Sequence, residues 1–240
     1  MKPVVITGAS KGIGLALAQF YGAHGWNVVM NGGHDKKALL DAADELSALT
    51  RVTTYLGDLS SEKHADNLIK HALHTFGKID LLINNAGISH IGLLSDMTTS
   101  QWRTVMGTNL DAVFYTSRAV IPHMVHRKEG KILNISSVWG EVGASCEAAY
   151  SASKGAVNAL TRSLAKELAP SGISVNAISM GVIDTAMNQC FNEEERAALA
   201  EEIPCGRFAT PQEAAAFCYQ ITQSPSYLTG QILRFDGGWL

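Results

Sequence analysis

The sequence predicts an α/β protein built on a doubly wound, seven-stranded parallel sheet with helices on both faces. Three observations predict it. Short β-rich runs alternate with segments of helical apolar spacing along all 240 residues. The first run ends in a glycine-rich turn that leads straight into a helix. No repeat, linker or low-complexity tract interrupts the alternation, so one domain is expected over 1–240.

Pro3 to Thr7 is the first strand and ends in TGASKGIG. Gly12 to His24 follows with Ile13, Leu17, Phe20 and Tyr21 at helical spacing. Strand, glycine turn and helix in this order open a dinucleotide-binding Rossmann fold. Gly8 allows the tight turn, Gly12 the approach of a pyrophosphate, and Gly14 close packing of helix on strand. Thr7, Ser10, Lys11 and Ile13 complete the expected turn, and the helix N-terminus offers N–H groups to phosphate. Trp26 to Met30 is the second strand. An acid at its end would bind a ribose and repel a 2′-phosphate. The chain has Asn31, Gly32, Gly33 and His34 there, with no acid before Asp35. With Lys11 in the turn, this favours NADP(H) over NAD(H).

Asp35 to Thr50 reads as a helix and Val52 to Leu56 as the third strand, running into Asp58 and Leu59. Asp58 is placed to accept from an adenine amino group. Ser60 is the expected N-cap of a helix to Phe76. Ile79 to Ile83 is a strand entering Asn84-Asn85-Ala86-Gly87, small residues that let backbone lie against a ribose while the Asn side chains tie strands together. Residues 100 to 126 read as one long helical region. Asn109 is the odd amide on its apolar face; it needs partners, and can kink the helix and hold a relay water.

Lys131 to Ala156 carries the chemistry. An apolar strand (Ile132, Leu133, Ile135) ends in Ser136 and Ser137, and a helix opens near Ala148. Tyr150 and Lys154 are four apart and share one helical face. A cation one turn away favours the phenolate, so the phenol pKa is expected to fall toward working pH, making Tyr150 a general acid/base. The helix continues to Pro170. Ile173 to Ile178 is a further strand, followed by Gly181, Ile183 and Thr185. Met187 to Pro204 is a helical insert on the substrate side, Pro211 to Thr222 another helix, and Gln231 to Phe235 the last strand.

These motifs together resemble the classical short-chain dehydrogenases/reductases. The likeness rests on Thr7-Gly8…Gly12-Ile13-Gly14, Asp58, Asn84-Asn85-Ala86-Gly87, Asn109, Ser137, Tyr150 and Lys154. Ser137 stands thirteen before Tyr150, the family's usual separation, and is preferred to Ser136. The resemblance implies that Tyr150 is the acid/base and that Ser137 holds the substrate oxygen. Lys154 would lower the tyrosine pKa and bind the ribose, and Asn109 would hold the relay water. It also implies that Gly181, Ile183 and Thr185 border the nicotinamide. The family's Pro-Gly is Met180-Gly181 here, which removes the proline's rigidity from that loop.

The general likeness is to 3-oxoacyl-[acyl-carrier-protein] reductases of fatty acid biosynthesis, with Arg127, Lys128 and Lys131 as part of a patch for an acidic carrier protein. A second arginine common there is Ser171 here. A narrower likeness, in SVWGEVGASCEAAYS and EIPCGR, is to reductases of the 5-aminopentanone group on elongation factor P. Trp139 and Glu147 are the expected substrate contacts, and Glu141 lies in the same loop. A non-enzymatic NADPH sensor has no need of Tyr150 and Lys154 together. A homotetramer or homodimer is implied by the resemblance.

A formal charge of -3 points to no nucleic-acid surface. No apolar run approaches the ~20 residues of a membrane span, and MKPVVITG is too short an apolar stretch for a signal peptide. A cytoplasmic protein is expected. The four cysteines have no metal or disulfide spacing, and His71 and His74 are expected on a solvated helix face, so no metal is expected.

Overall fold

The computed structural model describes residues 1–188 and 191–240. Its elements in chain order are β1 (Pro3–Ile6), α1 (Gly12–Ala23), β2 (Asn27–Gly32), α2 (Lys36–Ser47), β3 (Val52–Leu56), α3 (Glu62–Phe76), β4 (Leu81–Asn84), α4 (Thr99–Met106), α5 (Ala112–Arg127), β5 (Gly130–Ser137), α6 (Trp139–Val142), α7 (Ala148–Leu168), β6 (Ile173–Met180), α8 (Glu193–Glu202), α9 (Pro211–Gln223) and β7 (Ile232–Phe235). Among the described residues one seven-stranded sheet forms, in the order β3-β2-β1-β4-β5-β6-β7. Every pairing is parallel, as crossover helices require.

Side-chain alternation on the strands feeds two cores. On β1, Val4 and Ile6 pack with Leu17 and Tyr21 of α1 and Ala214 of α9. Val5 points the other way, into a cluster with Leu68 of α3, Val120 of α5 and Ala165 of α7. All these side chains are buried, each worth ~1.5–3 kcal/mol for a large aliphatic group.

A polar bridge crosses the sheet within this apolar frame. Asn84 Nδ2 donates to Asn134 Oδ1 at 2.9 Å, Thr116 Oγ1 donates to Asn84 Oδ1 at 2.7 Å, and Asn134 Nδ2 donates to Thr161 Oγ1 at 2.8 Å. The expected tie between strands is therefore present, and it also pins α5 and α7.

Several boundaries differ from expectation, each for a local reason. The second strand continues to Gly32 because Asn31 and Gly32 pair with Tyr55 and Leu56. Asp35 is the N-cap of α2, accepting from Ala38 N at 2.9 Å. Ser61, not Ser60, occupies the N-cap of α3, because Asp58 Oδ1 captures Ser60 N at 3.0 Å. The long region 100 to 126 is interrupted where Asn109 was expected to kink it, by one wide turn of π-helix, Gly107–Asp111, with Asn109 buried at its centre. A π turn inserts where side-chain bonding competes with the helical ladder. His71 is partly exposed, as expected, and its Nε2 lies 2.9 Å from Thr53 Oγ1. Within the expected insert at 187–204, α8 forms from Glu193, capped reciprocally by Asn192 and Glu195; 189 and 190 lie outside the described residues. No described helix is long and apolar enough to cross a membrane.

Candidate active site

The strand order reverses direction between β1 and β4, the point at which α/β sheets open a crevice beyond the carboxyl ends of their strands. A cavity of about 1360 Å³ lies there, bounded by the strand ends from β3 across to the segment after β7.

The glycine turn forms its floor. Thr7 Oγ1 accepts from Asn85 N and Ala86 N, both at 2.9 Å, and Asn85 Nδ2 donates back to Thr7 O at 2.9 Å and Gly8 O at 3.1 Å. Gly8 (φ 63°) and Gly12 (φ 56°) adopt left-handed backbone. A Cβ at Gly8 would stand 2.9 Å from Ala86 Cα, and one at Gly12 would meet Thr185 at 3.5 Å. The N-cap of α1, Lys11, makes no side-chain cap, and its first turn holds no acid. Its opening N–H groups are thus free to face an anion, and the cradle fits a dinucleotide pyrophosphate. Ser10, Lys11, Ile13, Ala86, Gly87, Gly181, Ile183 and Thr185 all line the cavity, while Gly14 is buried beneath it.

At the end of β2, Asn31 also lines the cavity, but its side chain serves the fold. Its Nδ2 donates to the carbonyls of Gly32, Tyr55 and Gly57, and its Oδ1 accepts from Gly8 N at 3.4 Å. Asp58 and Leu59 line the cavity nearby. The Asp58 Oδ2 is 3.9 Å from His34 Nε2.

The candidate catalytic residues converge at β5 and α7. The pleat separates the two serines: Ser136 Oγ donates to Lys154 O at 3.3 Å, whereas the Ser137 hydroxyl hydrogen-bonds the Tyr150 phenol. Lys154 Nζ donates to Ile135 O at 2.8 Å and lies 5.7 Å from the Tyr150 ring centroid. Gly87 admits both neighbours: a Cβ there would be 3.4 Å from Lys154 Nζ and from Asn109 Oδ1. Asn109 braces the site from behind. Its Nδ2 donates to Ile88 O at 2.9 Å and Ser153 Oγ at 3.0 Å, and its Oδ1 accepts from Ile88 N at 2.8 Å.

The expected fall in the tyrosine pKa is not found. Burial pushes the Tyr150 phenol up to about 12; the hydrogen bond with Ser137 opposes this, and the Glu147 charge adds to it. Burial likewise pushes the Lys154 ammonium down to about 8. The sequence reading weighed the charge pair and omitted desolvation. Tyr150 therefore stands protonated at neutral pH, ready to give a proton. The lysine shift has a consequence for stability. Its folded pKa lies below its ordinary 10.5, so burying it costs nothing above that pH and most below about 8. At 1.36 kcal/mol per unit the swing is about 3 kcal/mol. Comparing Lys154→Met with the parent by denaturant melts, the parent should gain on the variant by that order as pH rises from 8 to 10.5. A flat difference would refute the burial effect.

Beyond Tyr150 the wall changes character. Trp139 and Trp239 pack edge to face with centroids 4.9 Å apart, and both line the cavity. Glu147 lines it too and accepts from the Ser89 hydroxyl. Glu195 and Glu202 of α8 also line the cavity. Glu141, expected near the cleft, instead takes a forked ion pair from Arg234 on β7 and a 2.5 Å hydrogen bond from Ser179. Burial opposes the charge, but these donors hold its carboxyl below the usual range.

Two residues of the expected basic patch are engaged within the fold. Arg127 pairs with Asp80 at 2.8 Å, and Lys131 donates to Thr222 O and Ser224 O at 2.6 and 2.5 Å. Lys131 is the second residue of β5 and Ser137 its last, which puts Lys131 roughly 20 Å from the cavity end of the strand at ~3.3 Å per residue. Trp239, Ser89, Glu195 and Glu202 carry no signal in the sequence that marks them as lining a site. The pairing of β6 with β7 brings Trp239 beside Trp139, a juxtaposition with no local signal. Among the described residues no group of three or more His, Cys, Asp or Glu is placed to hold a metal.

Comparison with known proteins agrees with this geometry. A family model described as "short chain dehydrogenase" matches residues 2–196. The protein named "Uncharacterized oxidoreductase YmfI" from Bacillus subtilis is 39% identical, over 99% of this chain and 98% of its own length. The proteins named "3-oxoacyl-[acyl-carrier-protein] reductase FabG" from Vibrio cholerae and Thermotoga maritima are 33% and 35% identical, over 99% of this chain and 96% and 97% of theirs.

Proposed function

The chain belongs to the short-chain dehydrogenase family, and from that premise we propose that it is an NADPH-dependent reductase turning a ketone into a secondary alcohol. Bound NADPH supplies the hydride. Tyr150 gives its proton to the carbonyl oxygen, and Ser137 donates a hydrogen bond that steadies the developing alkoxide. Lys154 holds the ribose side of the site, and Asn109 fixes the 88 loop against α7. The single observation that carries the reading is the convergence of Ser137, Tyr150 and Lys154 on the cavity that the glycine turn floors. Support for NADPH comes from the end of β2. The first acid there, Asp35, lines the cavity but has one carboxylate oxygen engaged in the α2 cap, and His34 and Lys11 line the cavity with it.

The substrate reading best supported is a ketone that carries a cationic amine, such as the 5-aminopentanone group on elongation factor P. Glu147, whose charge is felt at the Tyr150 phenol, lines the cavity, as do Glu195 and Glu202, while the Lys154 ammonium beside the phenol is engaged by Ile135 O. Carboxylates are costly beside an acyl chain and stabilising beside an ammonium. The second reading, a 3-oxoacyl-[acyl-carrier-protein] reductase, is supported by the names of the relatives at 33–35% identity. A panel run with NADPH and NADH in parallel tests both. We expect NADPH to be preferred. Glu147→Gln should lower kcat/KM for an aminoketone about tenfold, the ~1.5 kcal/mol of one charged hydrogen bond, and leave acetoacetyl thioester within about twofold. Equal losses on the two substrates would remove the amine reading.

A further inference from the structure

We propose that Trp239 is a specificity-determining residue, forming with Trp139 the aromatic seat of the substrate's ammonium end, and that Arg234 is the positioning residue that holds this seat together. The inference rests on the cationic-substrate reading above and assigns its recognition to residues that reading did not use.

The segment after β7 is a built wall of the site. Gly237 and Gly238 turn it through left-handed backbone, at φ 68° and 82°. Asp236 ties the turn, its carboxylate accepting from Gly238 N at 3.0 Å and Leu240 N at 3.1 Å. Gly181 packs so closely on Asp236 that a Cβ would stand 2.7 Å from its Cα, and one at Gly237 would stand 2.8 Å from Ile203. Arg234 then joins two walls. Its Nε and Nη2 grip Glu141 of α6 at 3.0 to 3.2 Å, and its Nη1 donates to Leu240 O at 2.6 Å. Since α6 carries Trp139 and this segment carries Trp239, one guanidinium sets the geometry of both rings.

The chemistry of the seat follows from its lining. Each indole is only partly covered, and each lines the cavity. Aromatic faces attract cations. Glu147, Glu195 and Glu202 line the same cavity as the two rings. A quaternary or secondary ammonium finds there both a ring quadrupole and carboxylates.

The test compares two probes of one shape: a methyl ketone ending in a trimethylammonium group and its tert-butyl counterpart. The parent enzyme should prefer the ammonium ketone. Trp239→Leu should raise its KM roughly five- to tenfold, with kcat and the KM of the tert-butyl ketone held within about twofold. Trp239→Phe keeps a ring and should retain most of the preference. Arg234→Gln should erode the preference and weaken the near-ultraviolet circular dichroism of the coupled indoles. If the parent prefers the ammonium ketone and Trp239→Leu keeps that preference, the seat is elsewhere while the cationic reading stands. Equal KM rises on both probes would reduce Trp239 to a passive wall. A parent without preference overturns the seat and the cationic reading together.

Discussion

Replacing Tyr150 with Phe is expected to lower kcat by ~10²–10⁴, the usual worth of a positioned proton donor. The phenol is the one group at the site that is protonated at neutral pH and bonded to a hydroxyl aimed at the same space, Ser137. The substitution removes one oxygen and no ring packing, so folding should be nearly unaffected. Ser137 loses a partner but still accepts from Trp139 N at 3.2 Å. Dinucleotide binding should stay within about twofold if the glycine turn is the seat of the pyrophosphate. Stopped-flow turnover beside a fluorescence titration of NADPH separates the two quantities. Normal turnover in the variant would end the assignment of Tyr150 as acid, and lost dinucleotide affinity would show that the ring serves binding instead.

Gly14→Ala is expected to do the opposite, breaking the cradle before the chemistry. A Cβ at this position would lie 2.1 Å from Gly8 O and 2.6 Å from Asn85 Nδ2. The nearer contact is backbone, so no rotamer relieves it. Either α1 lifts from β1 or the turn shifts, and the turn is bonded through Thr7 to Asn85 and Ala86. Overpacking of this kind costs ~1–3 kcal/mol, or roughly 2–12 °C in Tm for a chain of this size. Dinucleotide Kd should rise about tenfold or more, because the groups that move are those that face the phosphates. A lower Tm with unchanged Kd would mean that the pyrophosphate does not rest on this turn.

The sequence made the frame legible because the relevant rules are local. Alternating strands and helices and a glycine turn leading into α1 dictate a parallel sheet and its crevice. Tyr150 and Lys154 are neighbours on any helix, and Ser137 lies at the end of its strand. Three things escaped for physical reasons. Desolvation depends on the whole shell, so the high phenol pKa could not be read from a four-residue spacing. The partner of the break foreseen at Asn109, Ile88, reaches it only after the chain folds back. The fate of charges depends on their partners: Glu141 was committed to Arg234, and Arg127 to Asp80, by contacts distant in sequence.

The order of the strands also sets a timetable. β1 lies inside the sheet, but one of its neighbours is β4, with Val4 matched to Leu81. Until that distant partner arrives, one edge of the earliest strand has unpaired amides and carbonyls. Closing so long a loop must be achieved before any contact rewards it, so refolding should be slow and prone to association through that edge. The arrangement that places a crevice between β1 and β4 is thus also the reason the molecule is most exposed to misassembly while only its first half is made.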